Sequence, residues 1–269
     1  MDVLCYDVEN LPIIASTWVL HNADISHQNI IEHASIICVS WKWVGKKQVH
    51  SSSIHDNQGR FNKNIYDDYH PVSEFHKILS SDEDFVLLAH NGNRFDIKKL
   101  NTSFLNHGLD PVPERQSIDT LLEARRKFRI DSNRLDYLGR FLGVGEKVET
   151  GGYQLWNDIV QLKYPEVGKS PDKDKALKAL DKMVRYNRRD VTLLESVYLK
   201  MKPYIKTPNA LLYNPKAGDA RCPKCLSADW KPSGYRYTNI SKIRRYRCRD
   251  CRTLFTERTA DYRVQTKVA

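Results

Sequence analysis

The stretch Phe-Val-Leu-Leu-Ala-His-Asn-Gly-Asn-Arg-Phe-Asp, residues 85–96, changes from an unbroken apolar run to a polar turn and then enters a helical segment. A short continuous apolar run is typical of a strand that is buried on both faces of a sheet. Residues 95–106 then carry apolar side chains at helical spacing, and residues 117–128 repeat the order of strand and helix. The middle of the chain therefore predicts alternating strands and helices.

The chain before this stretch has a different pattern. Residues 3–9 and 34–44 are rich in β-branched and aromatic side chains, and residues 47–54 follow the turn at Gly45 as a third strand, which indicates a meander. After it, residues 135–142 and 176–201 carry apolar faces at the helical period. This order predicts an α/β fold with a mixed β-sheet flanked by helices.

Acidic side chains occupy three informative positions. Asp7 and Glu9 lie in or at the end of the first predicted strand, where residues two apart point to the same face. Asp96 lies at a strand-to-helix junction, and Asp190 follows Tyr186 by four residues on the long predicted helix, so these two share one side. Each position alone has an ordinary alternative: a solvated acidic pair, a helix cap and an exposed helical acid.

Taken in chain order, these elements resemble the tyrosine-bearing branch of the DEDD superfamily of 3′–5′ exonucleases, which has a ribonuclease-H-like fold. The resemblance covers roughly residues 1–205 and includes the motif at residues 90–96, the following segment at 117–120 and a helical segment at 135–145 similar to phage and bacterial members. Asn91 and Asp96 are one residue further apart than in many proofreading subunits, and their spacing is similar to that in family-B polymerase exonuclease domains.

The resemblance implies hydrolysis of nucleic acid from a 3′ end to 5′-mononucleotides. Clustered carboxylates need a cation to stay ionised together, and oxygen ligands favour Mg²⁺ or Mn²⁺. By resemblance, Asp7 would bridge two such ions and Asp96 would support one of them. Glu9 and Asp190 would hold the other and help to place the attacking water, which Tyr186 would orient or deprotonate.

Other residues of the same region are candidates for contact with the substrate strand. Asn91 belongs to the second motif, and Tyr153 and Trp156 could stack on bases from a mobile loop. A core anchor is at least as good an interpretation of these two aromatics. Asp119 opens a helix, where a carboxylate is expected to act as a cap rather than as a metal ligand.

Four cysteines near the C-terminus form two C-x-x-C pairs, Cys222 with Cys225 and Cys248 with Cys251, separated by 22 residues. Four thiolates in this arrangement predict one structural Zn²⁺ site. The segment resembles the zinc ribbons of insertion-sequence transposases. Two disulfides are the less favoured alternative, because the start of the chain lacks a secretory signal and a cytoplasmic location, bacterial or in a phage-infected host, is expected.

The positive charge of the chain is concentrated in the cysteine segment. The formal net charge is +10, of which residues 221–258 contribute +8. Basic residues alternate with tyrosines between the two cysteine pairs, which favours contact with phosphates and bases over protein docking. The candidate residues of this surface are Arg236, Lys242, Arg244, Arg245 and Arg247.

The sequence thus predicts an exonuclease domain at residues 1–205, a proline-containing linker at 206–218 and a zinc ribbon at 219–269. The expected partner is nucleic acid, with single-stranded DNA or 3′ ends favoured and RNA as an alternative, and no membrane is involved. A non-catalytic nucleic-acid-binding protein and an endonuclease on the same fold are the competing hypotheses. The oligomeric state cannot be read from the sequence.

Overall fold

The computed structural model describes residues 2–18, 21, 24–146, 152–167, 172–210, 221–238, 240 and 242–256. A mixed α/β body is followed by a small antiparallel sheet. The strands of the body are β1 Asp2–Asn10, β2 Ile14–Ala15, β3 Ile30–Glu32, β4 Ile36–Trp43, β5 His50–Ser53, β6 Phe85–Ala89 and β7 Ser117–Asp119. Its helices are α1 Gln58–Phe61, α2 Tyr69–Leu79, α3 Asp96–Asn106, α4 Thr120–Lys127, α5 Leu135–Phe141, α6 Gln154–Val160 and α7 Lys173–Met201.

Five strands form the central sheet in the order β5-β4-β1-β6-β7. β1 pairs antiparallel with β4, and β4 with β5, whereas the pairs β1–β6 and β6–β7 are parallel. The predicted α/β fold with a mixed sheet is therefore confirmed. The strand predicted at residues 47–54 is β5, which is shorter and covers only His50–Ser53. β1 lies in the middle of the sheet, where its antiparallel and parallel halves meet.

The two faces of β1 are buried against different helices. Leu4 and Tyr6 belong to a core cluster with side chains of α2 and α3. Cys5, on the opposite face, clusters with side chains of α7. Because successive side chains of a strand alternate between faces, Asp7 and Glu9 continue the row of Cys5. The register of β1 therefore directs both carboxylates towards the α7 side of the sheet.

The longest helix, α7, has 29 residues and packs against the central strands. It begins after Asp172, whose carboxylate accepts hydrogen bonds from the backbone N–H groups of Asp174 and Lys175. Its buried stripe is mainly apolar but includes Asn187 and Asp190, which are 0% and 1% exposed. Buried polar groups are costly unless partnered, so these two mark a specialised part of the helix. No helix among the described residues has the length and apolarity to cross a membrane.

The small sheet consists of β8 Trp230–Tyr237, β9 Lys242–Cys248 and β10 Leu254–Thr256, in the order β10-β9-β8. The segment before this sheet contacts the body through Lys224, whose ammonium group donates to the backbone carbonyls of Lys202 and, at 3.3 Å, of Ile205. These carbonyls follow the C-terminal end of α7, where a cation is favourable. Residues 211–218 of the predicted linker lie outside the described residues, and the domain limits remain a prediction.

Candidate active site and zinc site

Three of the predicted carboxylates meet where β1 faces α7. Oxygen atoms of Asp7, Glu9 and Asp190 all lie within 4.8 Å of one another. We call these three residues the acidic group. Two of them share a face of β1 because they are two positions apart, and the third comes from the buried stripe of α7. Such closely spaced carboxylates repel one another unless a cation offsets their charge, and an all-oxygen set suits Mg²⁺ or Mn²⁺.

Asn187 holds one member of the acidic group in place. Its side-chain Nδ2 donates to Asp7 Oδ2 at 2.7 Å, across 180 residues of sequence. Asn187 lies one helical turn before Asp190, so the same helix supplies one carboxylate and orients another. Asn187 is not among the candidate residues predicted from the sequence. Its position three residues before Asp190, on the same side of the helix, was the available signal.

Asp96 lies beside the acidic group but is not part of it. Its Oδ1 accepts a hydrogen bond from the backbone N–H of Val8 at 3.1 Å, and Val8 lies between Asp7 and Glu9 on β1. Burial, with a smaller contribution from the nearby charge of Asp119, outweighs the opposing backbone hydrogen bonds and raises the pKa of Asp96 to about 6. In the metal-free protein this carboxyl therefore fixes the backbone that carries the first two carboxylates.

Tyr186 lies on α7 one turn before Asp190, as its spacing predicts. Its ring is partly buried and packs against the core cluster that includes Leu11, the residue directly after β1, and Ile37 of β4. The structure therefore brings Tyr186 to the same end of β1 as the acidic group. Its role towards a water molecule stays a prediction.

Asp119 anchors the loop that leads to Asp96. Its Oδ1 accepts hydrogen bonds from the backbone N–H groups of Leu121 and Leu122, so the predicted helix cap is confirmed. The same carboxylate also accepts from the backbone N–H of Asn91 at 2.9 Å and of Asn93 at 3.3 Å. One buried carboxylate thus ties α4 to the loop at residues 90–95.

The tight turn at residues 91–92 places special demands on both of its residues. Asn91 has a φ of 68°, in the left-handed region that asparagine tolerates better than most residues. A Cβ atom on Gly92 would lie 2.3 Å from the Cβ of Ala89 and 3.2 Å from the hydroxyl of Tyr6, so a side chain has no room there. These constraints explain why the turn needs Asn-Gly, and they set the entry of Asp96 into α3.

The two candidate stacking aromatics differ in their surroundings. Tyr153 is 64% exposed, so its ring is accessible to a base of a nucleic acid strand. Trp156 is partly buried, packs against the core, and donates from Nε1 to the carbonyl of Asn10 at 2.9 Å. Its contacts match the alternative of a core anchor, since they hold the end of β1 next to Glu9.

The four cysteines of the ribbon converge as the two pairs predict. The sulfur atoms of Cys222, Cys225, Cys248 and Cys251 lie within 4.8 Å of one another, and no disulfide links them. The distances Cys222–Cys251 and Cys225–Cys248 are 3.5 and 3.6 Å. Tetrahedral zinc with Zn–S bonds near 2.3 Å separates sulfur atoms by about 3.8 Å, so the four thiols fit that ion. The hydrogen bond between Cys222 and Cys251 lowers the pKa of Cys251 to about 4 and raises the pKa of Cys222, as expected for two thiols that share one proton.

The predicted basic residues all lie on the hairpin of β8 and β9, but they divide between its two faces. Strand alternation puts Lys242 and Arg244 on one face, opposite Tyr237 and Tyr235 in the register. The Lys242 ammonium lies 4.2 Å from the ring centre of Tyr235. The other face carries Arg236, Arg245 and Arg247. The hairpin is therefore basic on both sides and aromatic on one.

Comparison with known proteins identifies the family. A model of the RNase H superfamily matches residues 31–202, which is more than half of the chain, and the protein belongs to that superfamily. No curated protein matches it. Among solved structures, the chain is similar to the family B DNA polymerase from the hyperthermophilic archaeon Pyrobaculum calidifontis. The TM-score is 0.48 and the identity 18%, over 75% of this chain and 24% of the polymerase chain.

Proposed function

We propose that this protein is a metal-dependent nuclease that removes 5′-mononucleotides from the 3′ end of a nucleic acid strand, with DNA favoured. The observation that carries the proposal is the approach of Asp7, Glu9 and Asp190 to within 4.8 Å of one another, on a chain of the RNase H superfamily. A set of buried and half-buried carboxylates from distant parts of a chain is costly to assemble, and binding of divalent cations offsets that cost.

Two Mg²⁺ or Mn²⁺ ions bound here would activate a water molecule and stabilise the leaving oxygen of a phosphodiester. Asp7, Glu9 and Asp190 are the ligands that the geometry supports, and the resemblance adds Asp96. Asn187 orients the carboxylate of Asp7 through its 2.7 Å hydrogen bond. The resemblance assigns Tyr186, one turn from Asp190, to the attacking water.

The direction of cleavage follows from the resemblance and not from the geometry of the acidic group. The order of Asp7, Glu9, Asp96, Tyr186 and Asp190 along the chain supports 3′–5′ polarity through the resemblance to DEDD exonucleases. The same carboxylates could serve an endonuclease, which would also cut a strand without ends. Substrate topology therefore decides between these two activities.

We assign additional binding of the nucleic acid strand to the zinc ribbon. A single structural zinc would hold the hairpin, whose lysine and arginine side chains would contact phosphates and whose tyrosines would stack on bases. Tyr235 and Tyr237 are 45% and 69% exposed, and the chain carries most of its net charge in this segment. If the acidic group had no catalytic role, this surface would make the protein a nucleic-acid-binding module.

The test uses 3′- and 5′-end-labelled single strands of DNA and RNA, with a circular single strand beside them, in Mg²⁺, Mn²⁺ or EDTA. We expect metal-dependent shortening from the 3′ end and no cleavage of the circle. Asp7→Ala should abolish the activity, and Asp82→Asn, an exposed acid far from β1 in the chain, should retain it. Tight binding without cleavage under any metal would overturn the nuclease proposal.

A further inference from the structure

A buried ion pair joins α7 to the central sheet a short distance from the acidic group. The ammonium group of Lys42 on β4 pairs with Glu195 on α7, and the two side chains are only 6% and 10% exposed. The other carboxylate oxygen of Glu195 accepts a hydrogen bond at 2.6 Å from the backbone N–H of Gly45, in the turn after β4. Both charged groups therefore have partners, and all of these partners hold α7 against β4.

The ion pair lies on the same face of the sheet as the acidic group. In the register of β1 and β4, Cys5 is opposite Lys42 and Asp7 is opposite Ser40. Side chains that are directly opposite one another, or two positions apart on one strand, share a face of the sheet. Lys42 therefore points to the α7 side, about 7 Å along the sheet from the position opposite Asp7.

The contacts between α7 and the sheet follow one another in order along the helix. The first is the acidic group, to which α7 contributes Asp190. At the next residue, the backbone carbonyl of Val191 accepts a hydrogen bond at 3.3 Å from the thiol of Cys5. The ion pair of Glu195 comes about 7.5 Å beyond Asp190 along the helix axis. Two polar contacts thus fix α7 on the sheet directly after its metal-binding residue.

An ion pair at this depth is poor evidence for stability. Removing two charges from water can cost more than their attraction returns, and apolar residues of similar volume are often neutral or stabilising in their place. The rest of the buried stripe of α7 is mainly apolar, and its contacts with the sheet are non-directional. A buried charge, in contrast, needs its one partner. The best-attested use of such groups is to set the register of packed elements.

We propose that Lys42 and Glu195 are positioning residues, which fix the register of α7 on the sheet and thereby the place of Asp190 in the acidic group. A slip of α7 by one residue would move Asp190 by about 1.5 Å along the helix axis and rotate it by about 100°. Mg²⁺ demands near-ideal ligand geometry, so such a displacement would weaken the site. The inference rests on the proposed function, because it takes the acidic group as the metal site.

The test replaces both charges by apolar side chains of similar volume, Lys42→Met with Glu195→Leu. Stability is measured by urea unfolding and Mn²⁺ affinity by calorimetry, on protein that keeps zinc in the ribbon. The urea midpoint should equal or exceed that of the wild-type protein. Mn²⁺ affinity and kcat should fall about 10- to 100-fold, the range for groups that orient metal ligands, with KM for the strand unchanged. A pair that serves only stability would give the reverse: a lower midpoint with unchanged Mn²⁺ affinity.

Two controls separate the pair from general effects of substitution. Lys42→Arg keeps a cation opposite Glu195 and should retain most of the Mn²⁺ affinity. Lys163→Met with Glu32→Gln removes a partly buried ion pair between β3 and the segment after α6, away from β1 and α7. This control should change neither Mn²⁺ affinity nor kcat. Equal losses in Lys42→Arg and in the double apolar variant would overturn the role of the charge pair.

The outcomes for the two proposals are distinguishable. If the wild-type protein binds Mn²⁺ and Asp7→Asn does not, but no strand is cleaved, the nuclease proposal fails and the positioning role is judged on Mn²⁺ affinity alone. If the double apolar variant binds Mn²⁺ and turns over as the wild-type protein does, or no longer unfolds cooperatively, the pair serves stability and the positioning proposal is wrong. A wild-type protein that binds no Mn²⁺ at the acidic group would overturn both.

Discussion

The acidic group and the cysteine group each gather ligand atoms within 4.8 Å, but the chain builds them in different ways. The cysteines come from two short turns between residues 222 and 251, with only a small hairpin around them. The carboxylates come from β1 and α7, about 180 residues apart, and meet only because the whole body is folded. We therefore expect the cysteine group to need a bound ion in order to fold, whereas the fold of the body assembles the acidic group before any ion binds.

The partners of the two groups reflect this difference. Sulfur atoms of the cysteine group contact one another and a few local backbone groups. The acidic group is held by residues of several elements: Asn187 on α7, Asp96 on α3 and, through the end of β1, Trp156 on α6. Loss of metal should consequently unfold the ribbon but leave the acidic group assembled.

The largest effect is expected from zinc removal. A structural zinc contributes roughly 10–16 kcal/mol of apparent binding free energy to small domains, and the core of the ribbon is otherwise only a few side chains. Cys248→Ser or a zinc-selective chelator should expose Trp230 to water and shift its fluorescence to longer wavelength. The thermal unfolding transition of the body should stay unchanged. Simultaneous loss of both would show that the two sites are not independent.

The next effect concerns Asp96 and pH. Its folded-state pKa of about 6 exceeds the unfolded value of about 3.9, so the protonated carboxyl stabilises the metal-free protein below about pH 4. This contribution is lost as the pH rises towards 6, by roughly 3 kcal/mol at most. Asp96→Asn should remove this loss, measured as the difference in urea unfolding between the two proteins in EDTA. Parallel stability curves from pH 4 to 7 would contradict the assigned burial.

Substitution of Asn187 should lower the turnover rate more than it lowers affinity for the nucleic acid strand. Groups that orient metal ligands typically contribute 10- to 100-fold in metal affinity or activity. Asn187→Ala is therefore expected to lower kcat by about that range through the carboxylate of Asp7, with metal binding followed by calorimetry. Lys178→Ala, at an exposed position of the same helix, is the control. Full activity in a folded Asn187→Ala protein would remove this residue from the site.

The smallest effect is expected at the aromatic face of the ribbon. Tyr237→Ala should cost about 1 kcal/mol of strand affinity, as for one stacked base, and should raise KM without changing kcat. Tyr204→Ala provides a matched control, because this tyrosine is 66% exposed on the body. A change in kcat instead would mean that the ribbon takes part in the chemistry.

Much of the fold follows from patterns that are local in the sequence. The apolar run of β6, the period of α7 and the two cysteine pairs depend on neighbouring residues, and each was placed correctly. The capping role of Asp119 was also predictable, because a carboxylate before a helix has one dominant use. The range predicted for β5, residues 47–54, was too long, because the polar serines of this strand give a weak pattern.

The site was less predictable where contacts are long-range. Spacing brought Asp7, Glu9 and Asp190 into the candidate set, but no pattern showed that Asn187 donates to Asp7 or that Asp96 bonds to Val8 instead of joining the acidic group. Such contacts depend on how α7 and α3 pack on β1, which is decided by tertiary structure.

If the acidic group is a catalytic metal site, the rate at which a 3′-labelled single strand is shortened depends on Mn²⁺ concentration, and this rate is the most direct measurement of its role. Asp7→Asn and Asp190→Asn should each lose activity on the order of 10³-fold or more at all Mn²⁺ concentrations, the scale for losing one group at a reacting centre. Asp82→Asn should match the wild-type protein. Wild-type rates in Asp190→Asn, with the fold intact, would contradict the account.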